Sequence, residues 1–89
     1  MEEVIEEVRR IIAQGGPFTE ILATLRDSEA VDFKAIMVIY VLREAVGMPI
    51  VEAREIIARL DADLHPLVSA EDLDTTAERY LAPYRTRTP

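Results

Sequence analysis

The chain has 89 residues, no cysteine, and 17 acidic against 10 basic side chains, which gives a net charge of -7 at pH 7. The length predicts one domain, and the missing cysteine excludes disulfides and thiolate chemistry. The negative charge argues against a nucleic-acid partner and suits a basic protein surface, although solubility alone also explains it. The first residues are acidic, and no apolar run is long enough to span a membrane. These features predict a cytoplasmic protein without a membrane segment.

Two amphipathic helices are predicted in the first part of the chain. Residues 2–14 carry apolar side chains on one helical face and are followed by a Gly-Gly-Pro turn. A second helix is predicted from Pro17, which suits the first helical position, to about Ser28. Strands hidden at 4–8 or 18–25 are the alternative. The apolar positions of the two helices are Val4, Ile5, Val8, Ile11, Ile12, Phe18, Ile21, Leu22 and Leu25.

The longest apolar run, residues 35–42, lies within a helix predicted over residues 32–46. Periodicity alone does not separate a buried strand from a buried helix, but the flanking residues favour a helix. Asp32 is a suitable N-cap, and Gly47 followed by Pro49 is a suitable stop. Because apolar residues occupy nearly every side of this helix, we expect other helices or a partner to surround it.

A fourth helix is predicted from the residue after Pro49 to about Leu60 or Asp63. The next residues, 64–68, are predicted to form a loop, because the residue before Pro66 disfavours the helical region. The spacing of three and four residues predicts that this helix buries Ile50, Ala53, Ile57, Leu60 and Leu64.

The last predicted helix begins at Ser69, a suitable N-cap with acidic residues in the following turn. Pro83 is expected to end it, and residues 85–89 are expected to be a disordered tail. The predicted fold class is all-α: a compact bundle of about five short helices around the buried helix 32–46, with residues 1–84 as a single domain.

Residues 43–57, REAVGMPIVEAREII, resemble the helical hairpin in the C-terminal domain of the bacterial ribosomal stalk protein. That domain has an apolar helix, an arginine, a glycine turn and a second helix, within an α/β fold that also has strands. The resemblance implies a hairpin that binds translation factors through basic residues. Arg43 and Arg54 keep two of those basic positions, whereas Tyr40 and Val51 stand where lysines are found. The matching residues are Arg43, Gly47, Met48, Ile50, Glu52, Ala53 and Arg54.

The sequence has no recognised catalytic motif. His65 is the only histidine and has no nucleophile in a known context, so a surface role is expected. Asp61, Asp63 and His65 alternate like metal ligands, but Pro66 stands where a calcium loop needs glycine. Three glycines give no phosphate-binding loop. We therefore expect no enzymatic activity, no cofactor and no metal site. The alternative is an acid/base site formed by two carboxylates that meet in a cleft.

Six carboxylates near the His65 loop are the main candidate for partner binding, because we expect them to gather at one end of the bundle. Such a surface would attract a basic partner in a salt-dependent manner. The alternative is that two of them serve the helix dipole and the others are solvated. The six residues are Asp61, Asp63, Glu71, Asp72, Asp74 and Glu78.

Three hypotheses follow, all of them for a small bacterial protein that binds another protein. The first is an acidic inhibitor or immunity-type protein that covers a basic site on its partner. The second is an adaptor with a stalk-like hairpin, in which Arg43 and Arg54 carry the binding. The third is a self-association module, in which surplus apolar faces of the helix 32–46 meet across a two-fold axis, so that the chain is a homodimer and not a monomer.

Overall fold

A computed structural model describes residues 2–85 and shows an all-α bundle, which confirms the predicted fold class. The helices are α1 (Glu2–Ala13), α2 (Phe18–Asp27), α3 (Ala35–Val46), α4 (Ile50–Ile57) and α5 (Ala70–Arg85), and the described residues contain no strand. The helix α1 packs against α2, α3 and α5, while α4 packs against α3 and α5. The alternative of strands in the first part of the chain is therefore wrong.

The first two helices follow the predicted stripes. Their buried residues lie at the predicted positions, and only Ile5 remains partly exposed. Pro17 is the N-cap of α2 and not its first helical residue, with an extended backbone and no side chain that can cap. The buried set is Val4, Val8, Ile11, Ile12, Phe18, Ile21, Leu22 and Leu25.

The helix α3 begins three residues later than predicted. Lys34 is its N-cap, so the prediction that Asp32 caps the helix is wrong. Lys34 has an extended backbone, so the helix does not yet form at the predicted first residues. Val31, just before them, is buried. The end is as predicted: Gly47 is left-handed, with a φ of 76°, and its amide donates to the Arg43 carbonyl over 2.8 Å. A glycine adopts this conformation without the steric cost of a Cβ atom.

Neighbouring helices leave one face of α3 exposed, so the predicted alternative that a partner covers this helix stays a prediction for that face. Val38, Val41 and Leu42 are buried, but Ile36 and Tyr40 are exposed. The helix packs mainly against α1 and α4, and two neighbours cover only part of a cylinder. An exposed apolar stripe is left along the outer side of α3.

The helix α4 is shorter than predicted. It ends at Ile57, and the amides of Arg59 and Leu60 then donate to carbonyls three residues earlier, which is a tighter 3₁₀ type of turn. The predicted buried stripe is only partly correct. Ile50 is exposed, and Ile56 is buried in addition to Ala53.

The loop after α4 is anchored by Leu64, which is fully buried and has a positive φ of 64°. An antiparallel bridge between Leu60 and Pro66 closes this loop. The predicted N-cap of α5 is confirmed, because the Ser69 hydroxyl accepts from the Asp72 amide over 3.1 Å. These contacts fix the position at which α5 enters the bundle.

The prediction that Pro83 ends α5 is wrong, since the helix continues through it to Arg85. Pro83 lies in the last turn, so the missing amide affects a single hydrogen bond, to the Arg79 carbonyl. Arg85 then donates to the carbonyls of Ile12 and Gly16 at the end of α1 and forms an ion pair with Glu78. The rest of the predicted tail, 86–89, lies outside the described residues.

Candidate protein-binding surfaces

Large apolar side chains are exposed on the two arms of the α3–α4 hairpin. The exposed fractions are 67% for Ile36 and 44% for Tyr40 on α3, and 48% for Ile50 and 68% for Val51 on α4. Ile36 and Tyr40 are four residues apart and therefore share a helical face. Single exposed apolar residues are common, but pairs on adjacent helices are typical of a binding surface.

Each arm also carries an arginine whose side chain has no partner among the described residues. Arg43 follows Ile36 and Tyr40 on the same face of α3, and Arg54 follows Val51 on α4. Both are exposed, and neither guanidinium makes a hydrogen bond or an ion pair with another described residue. Five other arginines are engaged. Arg9 and Arg10 pair with Glu6 and Glu7, and Arg85 pairs with Glu78. Arg59 donates to the Glu55 carbonyl over 3.2 Å, and Arg26 lies over the Phe33 ring.

The outer face of α4 forms a shallow groove. This groove faces away from the bundle, because Ala53 and Ile56 on the opposite face of α4 are buried. Glu52 also contacts the bundle, since it accepts a hydrogen bond from the Tyr84 hydroxyl of α5 over 3.3 Å. The groove is lined by four exposed residues of α4 and by the exposed residue that follows the helix: Ile50, Val51, Arg54, Glu55 and Ala58.

The six predicted acidic residues do not act as one cluster, because two of them serve the fold. Asp74 accepts from the amide and the hydroxyl of Thr19, over 2.9 and 3.0 Å. Glu78 holds Arg85 through both carboxylate oxygens. Glu71 is exposed beside them on the same face of α5.

Asp61 and Asp63 lie in the loop between α4 and α5 with His65, and their ligand atoms come within 4.8 Å of one another. Asp61 already accepts from the amides of Asp63 and His65, each over 2.9 Å. Its pKa is lowered from the ordinary value of 3.8, first by the amide of His65. All three side chains are exposed, and no further histidine or carboxylate joins the group among the described residues. The two hydrogen bonds that Asp61 accepts from the loop amides account for the shape of the loop.

Sequence reasoning did not find the exposed position Ile50, because its spacing assigned it to the buried stripe of α4. Ile36 was expected to be covered by other helices or by a partner, and Val51 was compared only with a lysine position of the stalk-like hairpin. One signal was present for α4. Ala53 and Ile56 lie on one side of this helix, and Ile50 and Val51 fall outside that narrow stripe. No comparable signal exists for α3, where apolar residues occur all round.

Comparison of the chain with known protein families, with curated proteins and with solved structures gave no match. None of the described helices has the combination of length and apolar character that crossing a bilayer requires. The surfaces of the molecule are therefore the basis for a functional interpretation.

Proposed function

We propose that this chain is a non-enzymatic protein-binding module that uses the exposed side of its α3–α4 hairpin. The observation that carries the proposal is the exposure of Ile36, Tyr40, Ile50 and Val51 on two adjacent helices. Burial of these side chains by a partner would remove apolar surface from water, which is favourable by about 25 cal/mol per Å².

Arg43 and Arg54 supply the polar part of this surface. Neither is engaged by a carboxylate in the described part of the chain, so a partner's carboxylate can reach them without breaking an ion pair between residues 2 and 85. Arginine is favoured at binding surfaces because its planar guanidinium binds a carboxylate through two hydrogen bonds. An adaptor of the stalk-like kind, as the sequence resemblance implies, is one form of this proposal.

An acidic inhibitor or immunity-type function is the second candidate. It is favoured by Glu71 and Asp72, which are exposed and whose carboxylates make no ion pair with another described residue. Asp74 and Glu78 are less suited to this role, because their oxygens are engaged by Thr19 and Arg85. Charge reversal at Glu71 and Asp72 therefore tests this candidate with less risk of unfolding the protein.

The two candidates are separated by capture of the native partner with four variants of the chain. Hairpin binding predicts that Ile36→Glu and Arg43→Glu lower the yield of the partner at least about tenfold, a loss of roughly 1.4 kcal/mol. Under the same hypothesis Asp72→Lys keeps the yield. Glu29→Lys is the matched control for Asp72→Lys, because Glu29 is an exposed residue in the loop before α3.

The opposite result would contradict hairpin binding. If Asp72→Lys abolishes capture while Ile36→Glu and Arg43→Glu keep it, the acidic surface is the binding site. Capture at low and at high salt adds an independent measurement, because a contact dominated by acidic groups weakens more strongly with salt than one dominated by apolar burial.

A further inference from the structure

The groove on the outer face of α4 has the composition of a helix-packing surface. Its five residues recur at spacings of three and four, so they form one stripe along the helix. The stripe has apolar residues at both ends and a charged pair in the middle. In chain order these residues are Ile50, Val51, Arg54, Glu55 and Ala58.

The charges of this stripe cancel, although the whole chain carries -7. Arg54 and Glu55 contribute one positive and one negative charge, and neither side chain makes an ion pair with any residue in the range 2–85. Two copies of an acidic protein repel each other over most of their surfaces. They can meet at this stripe without adding like charges.

We propose that α4 packs antiparallel against α4 of a second copy, about a two-fold axis. A two-fold axis brings the same surface of both copies together, so the stripe must complement itself. With the axis midway between Arg54 and Glu55, Val51 of each copy lies opposite Ala58 of the other copy. A larger side chain then faces a smaller one at both ends of the interface, which is how packed helices interdigitate.

The same axis gathers Arg54 and Glu55 from both copies at the centre of the contact. The four charges comprise two guanidinium groups and two carboxylates, which balance. Since α4 has only eight residues, the buried area is small and the dimer is weak. The inference rests on the proposed function, because it assigns one arm of the hairpin to a second copy and leaves Ile36, Tyr40 and Arg43 of α3 for another protein.

Sedimentation of two single variants and their mixture tests the pairing. Arg54→Glu places four carboxylates at the axis, and Glu55→Arg places four guanidinium groups there. We expect each variant alone to be a monomer at concentrations where the wild type forms dimers, from about 10 µM to about 1 mM. We expect the equimolar mixture to recover the dimer, because each negative site then faces a positive one.

The controls are Arg79→Glu on α5 and Glu29→Arg in the loop before α3, which make the same charge changes at other exposed positions. Both should dimerise like the wild type. The inference is overturned if the wild type stays monomeric up to about 1 mM, or if the mixture is as monomeric as its components. A monomeric wild type that still captures a different protein through Ile36 would leave the proposed function intact, so the two failures are distinguishable.

Discussion

Asp74 of α5 caps the helix α2 from a distance of 55 residues along the chain, through its two hydrogen bonds to Thr19. The residue at the N-cap of α2 is Pro17, which has no side-chain oxygen to satisfy the free amides of the first turn. A carboxylate at this end also interacts favourably with the positive end of the helix dipole. The contact explains how α2 and α5 are held together without a local cap.

Asp74→Ala is therefore expected to lower the free energy of unfolding by about 1–2 kcal/mol, the usual cost of losing an N-cap. Thr19→Val removes the hydroxyl donor and keeps the amide, so it should cost less. Urea unfolding of both single variants and of the double variant gives their coupling energy. Glu29→Ala, an exposed residue in a loop, is the control and should change stability by less than about 0.5 kcal/mol. Additive effects of the two substitutions would contradict the bond between the Thr19 hydroxyl and Asp74, and an Asp74→Ala effect no larger than that of the control would contradict the cap.

Arg85 is expected to contribute more to stability than an ordinary arginine near a chain end. Its side chain is 12% exposed, and it binds the carbonyls of Ile12 and Gly16 and the carboxylate of Glu78. Arg85→Ala should cost about 2 kcal/mol, because charged hydrogen bonds are lost and two carbonyls lose a donor. Arg79→Ala on the exposed side of the same helix is the matched control, with an expected effect below about 0.5 kcal/mol. Equal thermal shifts for the two variants would show that Arg85 does not hold α5 to α1.

The turn of the hairpin depends on Gly47. A Cβ atom at this position would meet no neighbour within 4 Å, so the cost of Gly47→Ala comes only from its positive φ and should be about 1 kcal/mol. Gly47→Asn should cost less, because asparagine tolerates the left-handed region. Gly16→Ala has a different cause, since its Cβ would lie 2.6 Å from Cγ2 of Ile11. Thermal unfolding should therefore show a rescue by asparagine at Gly47 and none at Gly16.

The loop between α4 and α5 should lose stability in acid. The pKa of Asp61 is lowered in the folded protein, chiefly by the His65 amide, so its carboxylate stabilises the fold above its ordinary pKa of 3.8. This stabilisation disappears as the pH falls from about 3.8 through the lower folded value. The difference in unfolding free energy between wild type and Asp61→Ala should then be larger at neutral pH than in acid. A difference that is constant across this range would contradict the assignment. Asp63→Ala is the control, because no described residue donates a hydrogen bond to the Asp63 carboxylate.

The helices could be predicted from the sequence because their apolar spacing and end signals are local properties. Gly47 and Ser69 were found in this way. The contacts of Asp74 with Thr19 and of Arg85 with Gly16 could not be predicted, since they join residues far apart in the chain and depend on packing. For the same reason Asp74 was assigned to a binding surface from the sequence, although its carboxylate oxygens accept hydrogen bonds from Thr19 of α2.

The exposed apolar residues of the hairpin mark the limit of pattern reasoning. Apolar spacing shows that a helix has a core-facing side, but it does not show how many neighbours the helix will have. Because α3 is apolar all round, Ile36 and Tyr40 were expected to be covered by other helices or by a partner. They are exposed in the structure because α3 packs mainly against α1 and α4. Surplus apolar surface of this kind is informative about function only when the packing is known.

The most direct test of hairpin binding is site-specific photo-crosslinking in cells. A photoreactive amino acid is placed at Ile36, at Val51 or at Asp72, all of which are exposed. Binding through the hairpin predicts adducts from Ile36 and Val51 and none from Asp72, and an adduct of twice the chain mass from Val51 would identify a second copy. Adducts from Asp72 alone would contradict the account and assign binding to the acidic surface.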